Sequence, residues 1–296
     1  MGYIIDQAAR WARIFIYSAH FRYLGYAINM ILDVLGAKKR ESKVDSLIAG
    51  YDTDLNIQIN RQDHIGKTIF YHGYYEGREI RVIKKLIRAD DVILDIGANI
   101  GSWTLIFGKI ARAGKVYAFE PANTFVRLQK NLSLNPGLTH IEAFNIALGN
   151  ENGLVEIDPN YGETNNNGMN RMILGEQQTS IANIPMTTLD AWSSKQDLKK
   201  LDWIKMDTEG MEYQIILGGK NVISRFKPKM MLEVNEALLN YYGNSVTQLN
   251  ELLISMGYNH FYAFTPVRAT SPLSKISFLD IRLPCNVICS CDAINM

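Results

Sequence analysis

VILDIGANIGSWT, Val92 to Thr104, runs from a short apolar stretch through Asp95 into a turn that opens at Gly97 and closes at Gly101. Apolar residues giving way to glycines and then to SWTLIFGKIA describe a strand, a tight turn and a helix. In an open parallel sheet such a turn lies at the carboxyl end of its strand, where ligands bind. A dinucleotide loop spells GxGxxG, and its second glycine lets the backbone approach a pyrophosphate. Here the run is Gly97, Ala98, Asn99, Ile100, Gly101, so Asn99 stands in the place of the close-approach glycine.

Asp95, two places before Gly97, adds a carboxylate that a diphosphate would resent. A ligand with an ammonium and a sulfonium group and no phosphate would welcome it, and S-adenosyl-L-methionine is such a ligand. The next strand-like run, KVYAFEP, ends on Glu120, placed to accept both ribose hydroxyls as a bidentate acceptor. A dinucleotide ribose would use the same carboxylate, so Glu120 discriminates only when joined to the DxGxxxG turn.

From Asp91 onward short apolar runs alternate with helical stretches: VILDIG, SWTLIFGKIA, KVYAFEP, NTFVRLQKNLSLN, IEAFNIAL, then DWIKMDTEG, MEYQIILGGKNVISRF, PKMMLEVN, VTQLNELLISMG and YNHFYAF. This rhythm predicts an α/β fold, a doubly wound and mostly parallel sheet with helices on both faces. SFLDIRL and CNVICS at the end read as a hairpin closing the sheet edge. Asp158 to Ser180, rich in Asn and Gly, reads as a long irregular loop.

Before the sheet, DLNIQIN alternates with period two and KTIFYHGYY follows a turn-like stretch, which together predict a small antiparallel hairpin. EGREIRVIKKLI reads as an amphipathic helix, and GAKKRESKVD as a charged connection. Residues 1–36 carry apolar side chains at helical spacing, Ile14, Tyr17, Phe21, Leu24, Ile28, Ile31 and Leu35 among them. These helices suit a cap on the domain, a homo-oligomer face, or peripheral contact with a membrane headgroup layer. Arg22 and Asp33 interrupt them, so no charge-free run reaches the ~20 residues that a bilayer span needs.

With Lys+Arg 31 against Asp+Glu 30, the net charge of +1 gives no field to attract nucleic acid, and no basic stripe with interleaved aromatics suggests it. The partner must be read from a site. Cys285, Cys289 and Cys291, an odd number crowded near the end, argue against a disulfide framework and for core or surface thiols. No second Cys or His pair accompanies them at zinc spacing. With no secretory signal pattern, the expected location is cytoplasmic.

VILDIGANIGSWTL, VYAFEP, NIALG, TTLDAW and WIKMDTEGME, in this order, resemble the FkbM family of S-adenosylmethionine-dependent methyltransferases. The likeness covers roughly residues 74–235. It implies a class I, Rossmann-like seven-stranded sheet, while the charged run and the change of rhythm at Asp91 divide the chain into three segments. These are residues 1–45 with amphipathic helices and a charged linker, 46–90 with a hairpin and a helix leading into the core, and 91–296 as the methyltransferase domain. By resemblance, Asp95, Gly97, Ala98, Asn99 and Gly101 hold the methionine part, Glu120 takes the ribose and Pro121 borders the adenine. Asn145 to Ala147, ending the third strand, border the adenine on its other side, with a turn cap as the alternative for Asn145.

Methyl transfer from a sulfonium is an in-line displacement whose donor is already activated, so alignment matters most and a base helps when the acceptor is an alcohol. In KMDTEG the fourth strand ends at Asp207, which either orients the sulfonium side or takes the acceptor proton. Glu209 joins it, or is a first-turn carboxylate of the next helix. Glu233 would converge there too, making a divalent metal conceivable but not favoured. His72 is the candidate imidazole base, with His64 and His260 behind it. Tyr71, Tyr74 and Tyr75 either pack the hairpin or stack on a sugar. The expected reaction is O-methylation of a small-molecule or glycan hydroxyl, the substrate class resting on the resemblance. The alternatives are a catalytically silent nucleoside-binding scaffold and, less favoured, a dinucleotide-dependent oxidoreductase.

Overall fold

The computed structural model describes residues 45–157, 182–265 and 271–294. The readings made above for residues 1–44 and for the Asp158–Ser180 loop lie outside the described residues. The chain divides into two compact units, the break falling between Gly77 and Arg78.

In the first unit, β1 (Asp45–Tyr51) pairs antiparallel with β2 (Leu55–Asn60). The turn between them is made by Asp52 and Thr53, both at positive φ, with Thr53 N–H donating to the Gly50 carbonyl at 3.1 Å. The expected partner of DLNIQIN was KTIFYHGYY, but most of that segment is helix α1 (His64–His72). Its caps decide the matter. Asp63 accepts from Gly66 N–H at 2.5 Å, and Gly73, at φ 84, closes the helix on the Ile69 carbonyl. The aromatics of this unit pack among themselves. Tyr74 donates to Asp52 Oδ1 at 2.6 Å and stands 5.5 Å from the Tyr51 ring, while His64 meets Tyr75 edge-on.

The second unit is built on an eight-stranded sheet. Helix α2 (Gly77–Leu86) leads into β3 (Val92–Ile96), α3 (Ser102–Ile110), β4 (Lys115–Phe119), α4 (Thr124–Ser133) and β5 (Ile141–Phe144). After an excursion the chain returns through α5 (Leu189–Lys195), β9 (Trp203–Met206), α6 (Glu212–Gly218), α7 (Lys220–Phe226) and β10 (Lys229–Val234). It ends with α8 (Glu236–Tyr241), α9 (Val246–Ser255), β11 (His260–Phe264), β12 (Leu273–Lys275) and β13 (Cys285–Ser290). The spatial order is β12-β11-β13-β10-β9-β3-β4-β5, with β10, β9, β3, β4 and β5 mutually parallel.

The doubly wound sheet is therefore as the sequence pattern predicts, with one strand more than the expected seven because the short β12 joins the edge through β11. The closing hairpin is different. CNVICS inserts as β13 between β10 and β11, antiparallel to both, and SFLDIRL contributes a 3-10 turn at Phe278–Asp280 rather than a strand. Val287, Ile288 and Cys289 are fully buried, which only an interior strand of this sheet can offer them. The Cys289 thiol is held neutral by that burial, and all three cysteines are unpaired.

IEAFNIAL is also two elements. β5 stops at Phe144, and β6 (Ala147–Gly149) belongs to a separate three-stranded sheet with β7 (Gly153–Ile157) and β8 (Ala182–Thr188). TTLDAW joins this sheet to the main one. Thr188 caps α5 by accepting from Ala191 N–H at 3.1 Å, Asp190 accepts from Val222 N–H at 2.8 Å, and Trp192 stands edge-on to Phe119 at 4.9 Å.

Along β3 and β9, Leu94, Ile96, Ile204 and Met206 enter the large core cluster, so the period of two turns Asp95 and Lys205 to the opposite face. On that face Ala98, Ala118 and Leu128 form a smaller apolar cluster. An interior β13 predicts that Ile288→Ala lowers stability by about 2–5 kcal/mol, while Leu283→Ala stays within about 0.5 kcal/mol. Midpoints of chemical denaturation would show the difference, and equal small effects would place CNVICS on an edge.

Candidate functional site at the β3/β9 switch point

After β3 the chain moves outward through β4 and β5, then returns to β9 on the other side of β3. The crevice outside the carboxyl ends of β3 and β9 is where ligands of such sheets bind. Asp95, Glu120 and Asp207 all stand at this edge, each carried there by its strand.

The turn after β3 is made by three residues at positive φ: Gly97 at 79°, Asn99 at 51° and Gly101 at 87°. A Cβ on Gly97 would lie 1.9 Å from the Asp207 carbonyl oxygen, so the two loops touch backbone to backbone there. Asn99 explains its place in the motif. Asn tolerates the left-handed region, its Oδ1 accepts from Ile100 N–H at 2.8 Å, and its own N–H donates to Glu120 Oε2 at 2.8 Å. Gly97 and Ala98 both donate to the Phe119 carbonyl, at 3.0 and 2.9 Å, which fixes the turn to the tip of β4.

Asp95 is fully buried and accepts from Thr104 Oγ1 at 2.6 Å, while its Oδ1 accepts no hydrogen bond. Directly across from it in register stands Lys205, a residue the sequence reading passed over. Lys205 is 4% exposed, and its Nζ lies 3.6 Å from Asp95 Oδ1, 3.5 Å from Asp207 Oδ2 and 3.5 Å from the Gly97 carbonyl oxygen. The expected bare carboxylate beside the ligand is thus a buried, paired one. Burial pushes the Asp95 carboxyl above its usual range and Lys205 pulls it back. A lysine between isoleucine and methionine in an otherwise apolar strand was the available signal, since burial there demands a partner.

Glu120 is 5% exposed, and burial raises its carboxyl above the usual range. Its oxygens accept from Asn99 N–H, from Ala122 N–H at 3.0 Å and from the Thr124 side chain. A carboxylate offers about four lone-pair sites, so roughly one stays open, rather than the fully free bidentate acceptor expected. Asn145 follows β5, and its Nδ2 donates to the Glu120 and Pro121 carbonyls at 2.9 and 3.0 Å. It braces the tip of β4. Ala147, expected on the same strand, is instead buried at the start of β6 opposite Met186.

Asp207 follows β9, and its N–H donates to the Ile96 carbonyl at 3.1 Å. Glu209 is not in a helical first turn. It takes φ 56°, before α6 begins, and the acidic residue of that first turn is Glu212. Glu212 is 1% exposed and accepts from both Thr208 N–H and Thr208 Oγ1. Glu233 stands on β10 in register with Asn286. Among the described residues no three His, Cys, Asp or Glu side chains come together as metal ligands, so Asp207, Glu209 and Glu233 do not form such a group. His72 ends α1 in the first unit, and burial lowers its imidazole below the usual range. His260 opens β11. Among the described residues no helix is long and apolar enough to cross a membrane.

Among the described residues Asp95, Glu120 and Asp207 gather around one cation, Lys205, so acids outnumber bases at this edge. A phosphate-free cationic nucleoside fits that donor set better than a diphosphate does. The acceptor capacity left on Glu120 is consistent with such a group.

Among known proteins, the chain is 29% identical over 158 residues to the 2-O-methyltransferase NoeI of Sinorhizobium fredii, covering 49% of this chain and 64% of that protein. It is 28% identical over 145 residues to the hexuronic acid methyltransferase AglP of Haloferax volcanii, covering 49% of this chain and 56% of that one. It therefore spans less than two thirds of the length of either relative. A crystal structure of methyltransferase FkbM from Methylobacillus flagellatus KT aligns with 69% of this chain and 44% of that one at 17% identity, with a TM-score of 0.44. The model of the methyltransferase FkbM domain matches residues 95–260, more than half of the chain, and the protein belongs to that family.

Proposed function

We propose that this chain transfers a methyl group from S-adenosyl-L-methionine to a hydroxyl of a sugar or glycan. The observation that carries the reading is the gathering of Asp95, Glu120 and Asp207 around Lys205 at the β3/β9 switch point. There Asn99 takes the place of the pyrophosphate-contacting glycine, and Glu120 is held ready at the tip of β4. The relatives named as a 2-O-methyltransferase and a hexuronic acid methyltransferase support an oxygen of a sugar as acceptor.

The donor supplies a methyl group already activated on a sulfonium. In this reading the Gly97–Gly101 turn seats the methionine part, with Asp95 fixing the turn's base through Thr104 and Lys205 rather than touching the ligand. Glu120 accepts one ribose hydroxyl on its open site, and a second replaces the Thr124 hydroxyl. Pro121 and the Asn145–Ala147 segment border the adenine.

In this reading Asp207 holds the acceptor hydroxyl and takes its proton as the new carbon–oxygen bond forms and the carbon–sulfur bond breaks. Its side chain is 22% exposed while its partner Lys205 is buried, so it can reach both the protein network and a ligand. Glu209 flanks it. A small-molecule acceptor other than a sugar would use the same donor site.

Titration calorimetry of the intact protein with S-adenosylhomocysteine should show binding, and Glu120→Ala should weaken it by about tenfold or more, ~1.4 kcal/mol. No heat from the intact protein would end the donor reading. With labelled donor and fractionated glycans, Asp207→Asn should lower turnover by about 10²–10⁴-fold. Turnover equal to the parent's would remove Asp207 from the proton transfer.

A further inference from the structure

Thr208 stands between Asp207 and Glu209, and both of its donors point one way. Its main-chain N–H and its hydroxyl donate to the same oxygen, Glu212 Oε1, at 2.9 and 2.8 Å. Glu212 opens α6 and is 1% exposed, so it is tied to the packed body of the domain. The turn it grips is unusual. Glu209 has φ 56° and Gly210 φ 104°, and a Cβ on Gly210 would fall 2.5 Å from the Leu238 carbonyl oxygen. A non-glycine residue in the left-handed region persists only where its surroundings impose it.

We infer that Glu212 is a positioning residue, holding the Asp207–Gly210 turn in the shape that presents Asp207 to the donor and acceptor. The inference rests on the reading that this turn borders the donor. Glu212 reaches no ligand itself and acts through Thr208. Burial pushes its carboxyl up to about 7, opposed by the hydrogen bonds from Thr208 and reinforced by the negative charge of Asp207.

Two consequences follow from that placement. Ionised Glu212 grips Thr208 more strongly than the neutral acid does, because charge-assisted hydrogen bonds are the stronger kind. A cationic ligand at Asp207 offsets the repulsion between the two carboxylates, so ligand binding and ionisation of Glu212 favour each other. Affinity for a ligand carrying a sulfonium beside Asp207 therefore rises as pH increases through neutrality.

Two substitutions separate grip from charge. Glu212→Gln keeps an oxygen acceptor and cannot ionise, whereas Glu212→Leu removes both. Amide exchange across residues 206–211 should stay near the parent's rate in Glu212→Gln and quicken by about tenfold or more in Glu212→Leu, with β10 unchanged. Calorimetry with S-adenosyl-L-methionine, whose sulfonium lies beside Asp207 in this reading, should show affinity rising about threefold or more between about pH 6 and about pH 8.5 in the parent, and no such rise in Glu212→Gln. A folded Glu212→Leu protein with parental exchange, or a Glu212→Gln protein with the parental pH profile, would overturn the inference. Should Glu212→Leu fail to fold, the Glu212→Gln profile decides alone. If the parent does not bind S-adenosylhomocysteine, the donor reading falls, and the exchange comparison still judges the grip.

Discussion

The buried contact of Lys205 with Asp95 and Asp207 is the interaction on which this structure turns. An ammonium and a carboxylate taken out of water cost several kcal/mol each, and only close mutual pairing repays them. Here the pairing spans β3 and β9, the two strands whose divergence creates the crevice. Removing either partner would strand the other in the interior, at a cost of about 3–5 kcal/mol. The network therefore fixes the relative height of the two strand tips, and with it the distance between the glycine turn and Asp207.

The second tie is made by main-chain donors. Asn99 N–H and Ala122 N–H hold Glu120, and the Phe119 carbonyl holds Gly97 and Ala98, so the first two strand tips behave as one piece. Asn145 completes it by donating to the carbonyls of Glu120 and Pro121. Side chains that looked like separate ligand contacts are thus joined in one hydrogen-bonded frame. Preorganisation of this kind lets a site hold reacting atoms in line without spending ligand binding energy on ordering loops.

Much of this was legible from residues alone. Alternating strand and helix runs gave the doubly wound sheet, and the positions of Asp95, Glu120 and Asp207 at strand tips followed from where each run stops. What the pattern hid were features decided by partners distant in sequence. CNVICS is short and apolar, and only the buried faces of β10 and β11 show it to be interior. KTIFYHGYY has the aromatics of a strand, yet Asp63 and Gly73 cap it as a helix, a signal that was present and outweighed by composition. Glu209 lies outside the first turn in which it was the alternative expectation, because a residue at positive φ delays the start of α6 to Glu212. Lys205 was hidden because the carboxylate that pairs with it across the sheet, Asp95, lies far earlier in the chain, on β3.

The central claim is that the frame formed by the β3 and β4 tips receives a cationic nucleoside without phosphates. A crystal structure of the intact protein grown with S-adenosylhomocysteine tests it most directly. The account predicts ribose hydroxyls within hydrogen-bond reach of Glu120 and the amino acid end over the Gly97–Gly101 turn. Density for the ligand elsewhere, with that turn closed against protein, would contradict it.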